Sequence, residues 1–190
     1  MVAAPEILVV AATPAELAPT LACATLVCGV GPVDAAVRVA SVLADHRPRA
    51  ILHVGIAGAR RASGLGPATL VIGTAARYSD LRVPVKFAPS EALPDARLLD
   101  CVTRALPDAL RLPIATVGRV GASVGCDVEG MEGFAVLRAA ELAGVPAIEV
   151  RAISNEIEES DRSRWHFDHA FSAITAITPR LVEAIAACTL

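Results

Sequence analysis

The chain has 190 residues, of which 54% are hydrophobic and 3% aromatic, and its formal net charge is −3. So much aliphatic side chain excludes a disordered protein, and the length suits one domain, residues 1–190. The basic residues form no stripe with interleaved aromatics, which argues against nucleic acid as a partner. No run reaches the roughly 20 apolar residues that span a bilayer.

The opening "MVAAPEILVVAA" has no basic stretch and only a short apolar run, so it predicts a first strand at Ile7–Val10 rather than a secretory leader. "AATPAELAP" follows, with Glu16 at the start of a short helix, either as a first-turn carboxylate facing the helix dipole or as a site group. A second strand, Thr25–Cys28, runs into "CGVGPVDAAV", where Gly29 and Gly31 make a tight turn into a helix over Val33–His46. This is not a dinucleotide fingerprint, because Asp34 holds the third glycine position, and no Lys-Ser/Thr pair follows for a P-loop. The third strand, Ala50–Val54, carries His53, read as a hydrogen-bonded core residue, and leads to Gly55 and Gly58, where backbone can approach a ligand closely.

Thr69–Ile72 and Ile114–Val117 read as further strands, and "SGLGP" (63–67) and "FAPSEALPD" (87–95) as loops or flaps. In "DVEGMEGFAV", Glu132 opens a helix over Glu132–Ala143 that stops at Gly144. Glu132 is either a capping carboxylate or, beside Met131, half of a sugar-binding pair: a carboxylate accepts two hydroxyls and a thioether packs on the ribose face. The strand Ala147–Val150 ends in "RAISNEIEES", which places Ser154 and Asn155 at its tip. "DRSRWHFDHA" then supplies Ser160 or Asp161 as an N-cap for a last helix, Phe167–Ala187, which Pro179 interrupts or restarts.

Strands alternating with helices predict the α/β class, a mainly parallel twisted central sheet flanked by helices. In such sheets the ligand crevice lies outside the carboxyl ends of the strands, which makes the residues just named the candidate site. The five cysteines (Cys23, Cys28, Cys101, Cys126, Cys188) show no C-x-x-C pair and read as reduced thiols of a cytoplasmic protein.

Taken together, "GVGPVDAA", "HVGIAG", "VEGMEGFAV" and "VRAISN" resemble, in order, the motifs of the purine nucleoside phosphorylase/nucleosidase superfamily. Within it, "VEGMEGFAV…GVPAIEVRAISNEIEESDRSRW" is most similar to futalosine hydrolases of menaquinone biosynthesis. The resemblance implies a nucleoside phosphorylase-like fold, a small-molecule purine nucleoside as partner, no metal or organic cofactor, and a homo-oligomer whose neighbouring subunit completes the pocket. It implies that Met131 and Glu132 bind the ribose, that Asn155 contacts purine N7 and the 6-substituent, and that Gly58 and its neighbours line the pocket wall. Glu16 is its candidate for the water-activating base, although counting from the first strand puts Pro14 nearer that position.

An Asn amide can donate to the O6 of hypoxanthine, which an ionised Asp would repel, so hypoxanthine is the expected product. Hydrolysis is expected over phosphorolysis, since His53 replaces a phosphate-binding Arg of the phosphorylases and "TPAELAP" holds no Arg, with Arg77 the candidate replacement. The alternatives are a methylthioadenosine/adenosylhomocysteine nucleosidase, a phosphorylase, and a catalytically silent nucleoside sensor. One departure stands out: "RVGASVGCDV" (119–128) is shorter than its family counterpart by roughly one helix and holds no aromatic to stack on the base, which leaves Val120 as the candidate for that contact.

Overall fold

The computed structural model describes residues 7–190; the expectation for the first six residues lies outside that range. The strands are β1 (Ile7–Ala11), β2 (Ala24–Val27), β3 (Ala50–Ala59), β4 (Leu70–Tyr78), β5 (Glu91–Ala92, inside the expected 87–95 loop), β6 (Leu110–Thr116), β7 (Val128–Gly130) and β8 (Ala147–Glu156), and the predicted β-branched runs fall on β1, β2, β3, β4, β6 and β8. The Ala- and Leu-rich stretches form α1 (Pro32–Asp45), α2 (Ala96–Ala105), α3 (Gly133–Ala143) and α4 (Phe167–Ala186).

Strand side chains alternate between two apolar layers, as a sheet covered on both faces requires. Ile7, Val9 and Ala11 of β1 share a core with Leu98 and Val102 of α2 and with Ala170 and Ile174 of α4. Leu8 and Val10 face the other way, onto Ala35 and Val39 of α1 and Phe134 and Leu137 of α3.

The sheet is mixed, which corrects the mainly parallel expectation. β2, β1, β3 and β8 run parallel in sequence across the sheet, as do β4, β6 and β7. Antiparallel pairs join the two groups, β4 with β8 and β3 with β7, and β5 adds an antiparallel edge to β4. The pairings therefore close a ring, β3–β8–β4–β6–β7, around a small core of Ala57, Val71, Ile114, Val128 and Ile153. The closure uses Gly58 and Ala59 of β3, which lie beyond the predicted strand end because a glycine-rich tail reads as a turn. It also uses β7, whose three residues are too few to show a period.

Two further differences concern helices. α2 begins just after the 87–95 loop and has no counterpart among the predicted helices; Asp95 caps it by accepting from Arg97 N and Leu98 N, and Leu98 and Val102 bury on one face. Pro179 lies within a continuous α4. Its missing N–H costs one backbone bond, which tertiary burial of Ile174, Thr178 and Leu181 outweighs. Among the described residues no helix is long and apolar enough to cross a membrane.

α2 packs beside α4, and there Cys101 is bonded to Cys188, with Cα atoms 6.3 Å apart across 87 residues of sequence. This corrects the reading of all five cysteines as free; Cys23, Cys28 and Cys126 are. Spacing could not reveal a link that only helix packing creates. Closing so long a loop stabilises a fold by up to about 4.5 kcal/mol in the chain-entropy account. Reduction is therefore expected to lower the urea midpoint markedly, with two thiols appearing only after reductant is added. Five titratable thiols in denaturant without reductant would contradict the link.

Candidate active site

At the carboxyl ends of β1, β3 and β8 a cavity of about 340 Å³ opens, within the range of small-molecule sites. Glu16, Gly58, Met131, Glu132, Ser154 and Asn155, the residues singled out from the sequence, all line it. So does Val120.

Glu16 sits on a 3₁₀ turn (Pro14–Glu16) just after β1 and is almost wholly buried. Its Oε2 accepts from Thr13 N (2.8 Å) and Thr13 Oγ1 (3.0 Å), and its Oε1 accepts from Ile56 N (3.0 Å). It is thus both the turn's capping carboxylate and a cavity group. Both oxygens are held by donors, which fixes a carboxylate that can still accept a proton from water in a remaining lone-pair direction.

Glu132 occupies the N-cap position of α3 but makes no cap hydrogen bond with its side chain. Instead the turn "GVG" reaches it: Gly31 N donates to Oε1 at 3.0 Å, and Gly29 and Gly31 take φ of +83° and +94°, conformations suited to glycine. The anion held by that turn is the protein's own carboxylate. α3 takes its own capping bond from Thr116 Oγ1, which accepts from Phe134 N at 2.7 Å.

Beneath Glu132 lies Arg151 of β8, 1% exposed. Its Nε bonds Glu149 Oε1 at 2.7 Å, its guanidinium stands 3.4 Å from Glu132 Oε2, and it also meets His53 Nε2. Burial opposes the Arg151 charge, but Glu149, Glu132 and Glu16 outweigh it and raise its pKa. Burial, with the guanidinium beside it, pushes His53 well below the usual histidine range. A neutral His53 donates from Nδ1 to Val10 O and accepts at Nε2, which confirms it as a hydrogen-bonded core residue. Burial raises the Glu132 pKa, while Arg151 and the Gly31 N–H pull it back toward the ionised form that accepts hydroxyls. The neighbouring Cys28 thiol is pushed up to about 12, by burial first and by Glu132 second, and is inert as a nucleophile.

Asn155 belongs to β8, which runs six residues past its predicted carboxyl end at Val150, to Glu156. A register shift between Ala57 and Gly58 sets Gly58 opposite Asn155, a bulge beside the site. A Cβ on Gly58 would stand 3.1 Å from Asn155 Nδ2, so the glycine makes room for the amide rather than for a ligand. Gly55 plays the same part for Arg151: a Cβ there would run into the guanidinium and lie 2.7 Å from Glu16 Oε1. Ser154 Oγ donates to Asn155 Oδ1 (2.7 Å), and Asn155 Nδ2 donates to Glu156 O (2.9 Å). This network sets the amide orientation and leaves the second N–H of Nδ2 available.

Sequence reasoning did not assign several of the lining groups. Trp165, Phe167 and Phe171 form an aromatic wall, with ring centroids 5.4 Å apart for the first pair and 6.0 Å for Phe167 and Phe171. Arg162 lies over the Trp165 ring at 5.4 Å and is the one Lys or Arg among the lining residues. Asp161 caps the 3₁₀ turn Arg162–Arg164 rather than α4, whose N-cap is His166, and so turns the only Trp toward the cavity. Arg77 pairs with Glu91 at 2.7 Å and is not a lining residue, so it supplies no phosphate contact here.

A sequence profile of the phosphorylase superfamily matches residues 21–122 and 115–188, and the chain belongs to that superfamily. It is similar to two futalosine hydrolases. With that of Acidothermus cellulolyticus it shares 29% identity over 183 residues, covering 80% of this chain and 74% of that one. With that of Streptomyces coelicolor it shares 39% over 61 residues, covering 32% of this chain and 26% of that one. Among solved structures, an S-adenosylhomocysteine nucleosidase from Streptococcus pyogenes superposes with a TM-score of 0.80 at 22% identity, over 95% of this chain and 97% of that one. A futalosine hydrolase from Helicobacter pylori superposes at 0.78 with 14% identity, over 95% and 96%. At those identities the structural likeness establishes the fold.

Proposed function

We propose that the chain is an N-glycosyl hydrolase that cleaves futalosine, releasing hypoxanthine and dehypoxanthinyl futalosine in menaquinone biosynthesis in the cytoplasm. The observation that carries this reading is that Asn155, whose Nδ2 keeps one N–H beyond its bond to Glu156 O, lines the same cavity as the Glu16 and Glu132 carboxylates. The similarity to the two futalosine hydrolases supports it.

In this reading the C1′–N9 bond breaks with its electron pair leaving on the purine. Asn155 donates to O6 or N7 and stabilises the negative charge that develops there, an interaction stronger in the transition state than in the bound substrate. Glu132 accepts from the 2′- and 3′-hydroxyls and favours positive charge on the sugar, while Met131 packs on the ribose. The water oxygen bonds to C1′, its proton passes to Glu16, and the released base takes up a proton. These steps call for no metal or organic cofactor. Ser154 holds the Asn155 amide in its donating orientation. The aromatic wall offers an apolar surface to the 5′ substituent.

Water rather than phosphate is the nucleophile because Glu16, Glu129 and Glu132 line the cavity, Arg151 beneath it is already paired with Glu149 and Glu132, and Arg162 is the one cation among the lining residues. A phosphate dianion would meet carboxylates instead of charge-assisted donors. Val30 lines the cavity yet is 60% exposed, and Val33 and Val37 continue the strip along α1, which supports the homo-oligomer reading. Base release from futalosine should proceed at the same rate with and without phosphate, with a free reducing sugar as product. Formation of a sugar 1-phosphate would identify a phosphorylase instead.

A further inference from the structure

The 119–126 segment forms part of the cavity wall without regular structure of its own, and two oppositely charged side chains hold it from different strand ends. Glu129 of β7 is 4% exposed, and each of its oxygens is taken by a loop N–H: Oε1 by Gly121 N at 2.6 Å and Oε2 by Ser123 N at 2.8 Å. Arg60, just past β3, takes the carbonyls: its Nε donates to Cys126 O at 3.0 Å and its guanidinium also bonds Ser123 O. The Arg60 backbone N donates to Asp127 O at 2.8 Å, which closes the segment's far end. Gly121 and Gly125 take φ of +83° and +75°, so the chain folds back on itself at both ends of this hold. Val120, next to the first clamped N–H, faces the cavity.

We infer that Glu129 and Arg60 are positioning residues that latch the 119–126 segment and so fix the Val120 side of the binding cavity. The fully hydrogen-bonded Glu129 carboxylate acts through the loop even though it borders the cavity. Arg60 is not among the cavity-lining residues, and apart from a 3.9 Å pair with Glu158 its side chain bonds the segment, which is its closest route to the site. A carboxylate suits the task because it accepts two N–H groups at once, whereas an amide has one acceptor oxygen and would set N–H against N–H.

The inference rests on the nucleosidase reading for its kinetic arm alone. Glu129→Gln and Arg60→Gln are each expected to raise KM for the nucleoside by about tenfold or more, the effect of a lost charge-assisted hydrogen bond, with kcat within about threefold. Both should speed amide hydrogen exchange in 119–126 while leaving β1 and β8 unchanged, and Glu129→Asp should recover part of the loss. Unchanged exchange in that segment in both variants would overturn the latch. A fall in kcat for Glu129→Gln with exchange and KM unaltered would overturn it too, by making Glu129 a group that touches the reacting atoms. Should Glu129→Gln fail to fold, the less buried Arg60→Gln decides alone. Wild-type protein that releases no base from any nucleoside would count against the nucleosidase reading, and the exchange comparison would still judge the latch.

Discussion

Asn155→Ala is expected to lower kcat for base release by roughly 10²- to 10³-fold, the usual effect of removing one donor aimed at developing negative charge. The fold should tolerate the change, because the amide's own bonds, to Ser154 Oγ and Glu156 O, contribute about 1 kcal/mol each. Asn155→Asp tests the chemistry more sharply. It places an ionised oxygen beside the Glu156 carbonyl that now accepts from Nδ2, and removes the amide donor proposed for O6. Turnover of 6-oxopurine nucleosides should collapse while 6-aminopurine nucleosides suffer less, so the ratio of their kcat/KM values moves toward the amino substrate. A folded Asn155→Ala protein with wild-type turnover would remove Asn155 from the mechanism.

Arg151→Met is expected to destabilise the protein by about 3–5 kcal/mol in urea unfolding, because it strands buried carboxylates. Glu149 and Glu132 both lean on this guanidinium, and Glu149 Oε2 already has no hydrogen-bond partner. Removing Glu149 as well, in Arg151→Met with Glu149→Leu, should restore part of the stability by removing one stranded carboxylate, while Glu132 and His53 still lack the guanidinium they faced. Activity should stay low in the double variant, because Glu132 has lost the cation that favours its ionised form. Full activity there would show that Arg151 serves stability alone.

Strand-end logic and the motif resemblance located Glu16, Met131, Glu132, Ser154 and Asn155, and the structure brings them to one cavity. Glu16, Ser154 and Asn155 stand one or a few residues beyond an apolar run, where an α/β sheet exposes side chains to its crevice, whereas Met131 and Glu132 are legible from the helix start and the motif alone. Arg151, within "VRAISN", has no role in the motif resemblance. An arginine inside a buried strand demands buried counter-charges, and that signal was there to use. Its partners are Glu149, two residues away, and Glu132 and His53, which only β3–β8 pairing and the start of α3 bring near. The aromatic wall escaped notice because Trp165 and Phe167 read as helix-packing residues, and the turn that redirects them is a three-residue 3₁₀ segment. The ring closure and the Cys101–Cys188 link are contacts between distant elements, which local periodicity does not encode.

The most direct test of the central claim is base release from futalosine, inosine and methylthioadenosine in parallel, followed by chromatography without phosphate. The account predicts hypoxanthine from futalosine at a rate well above either other nucleoside. Adenine from methylthioadenosine as the dominant product would contradict it and make the pocket a reader of the 6-amino group.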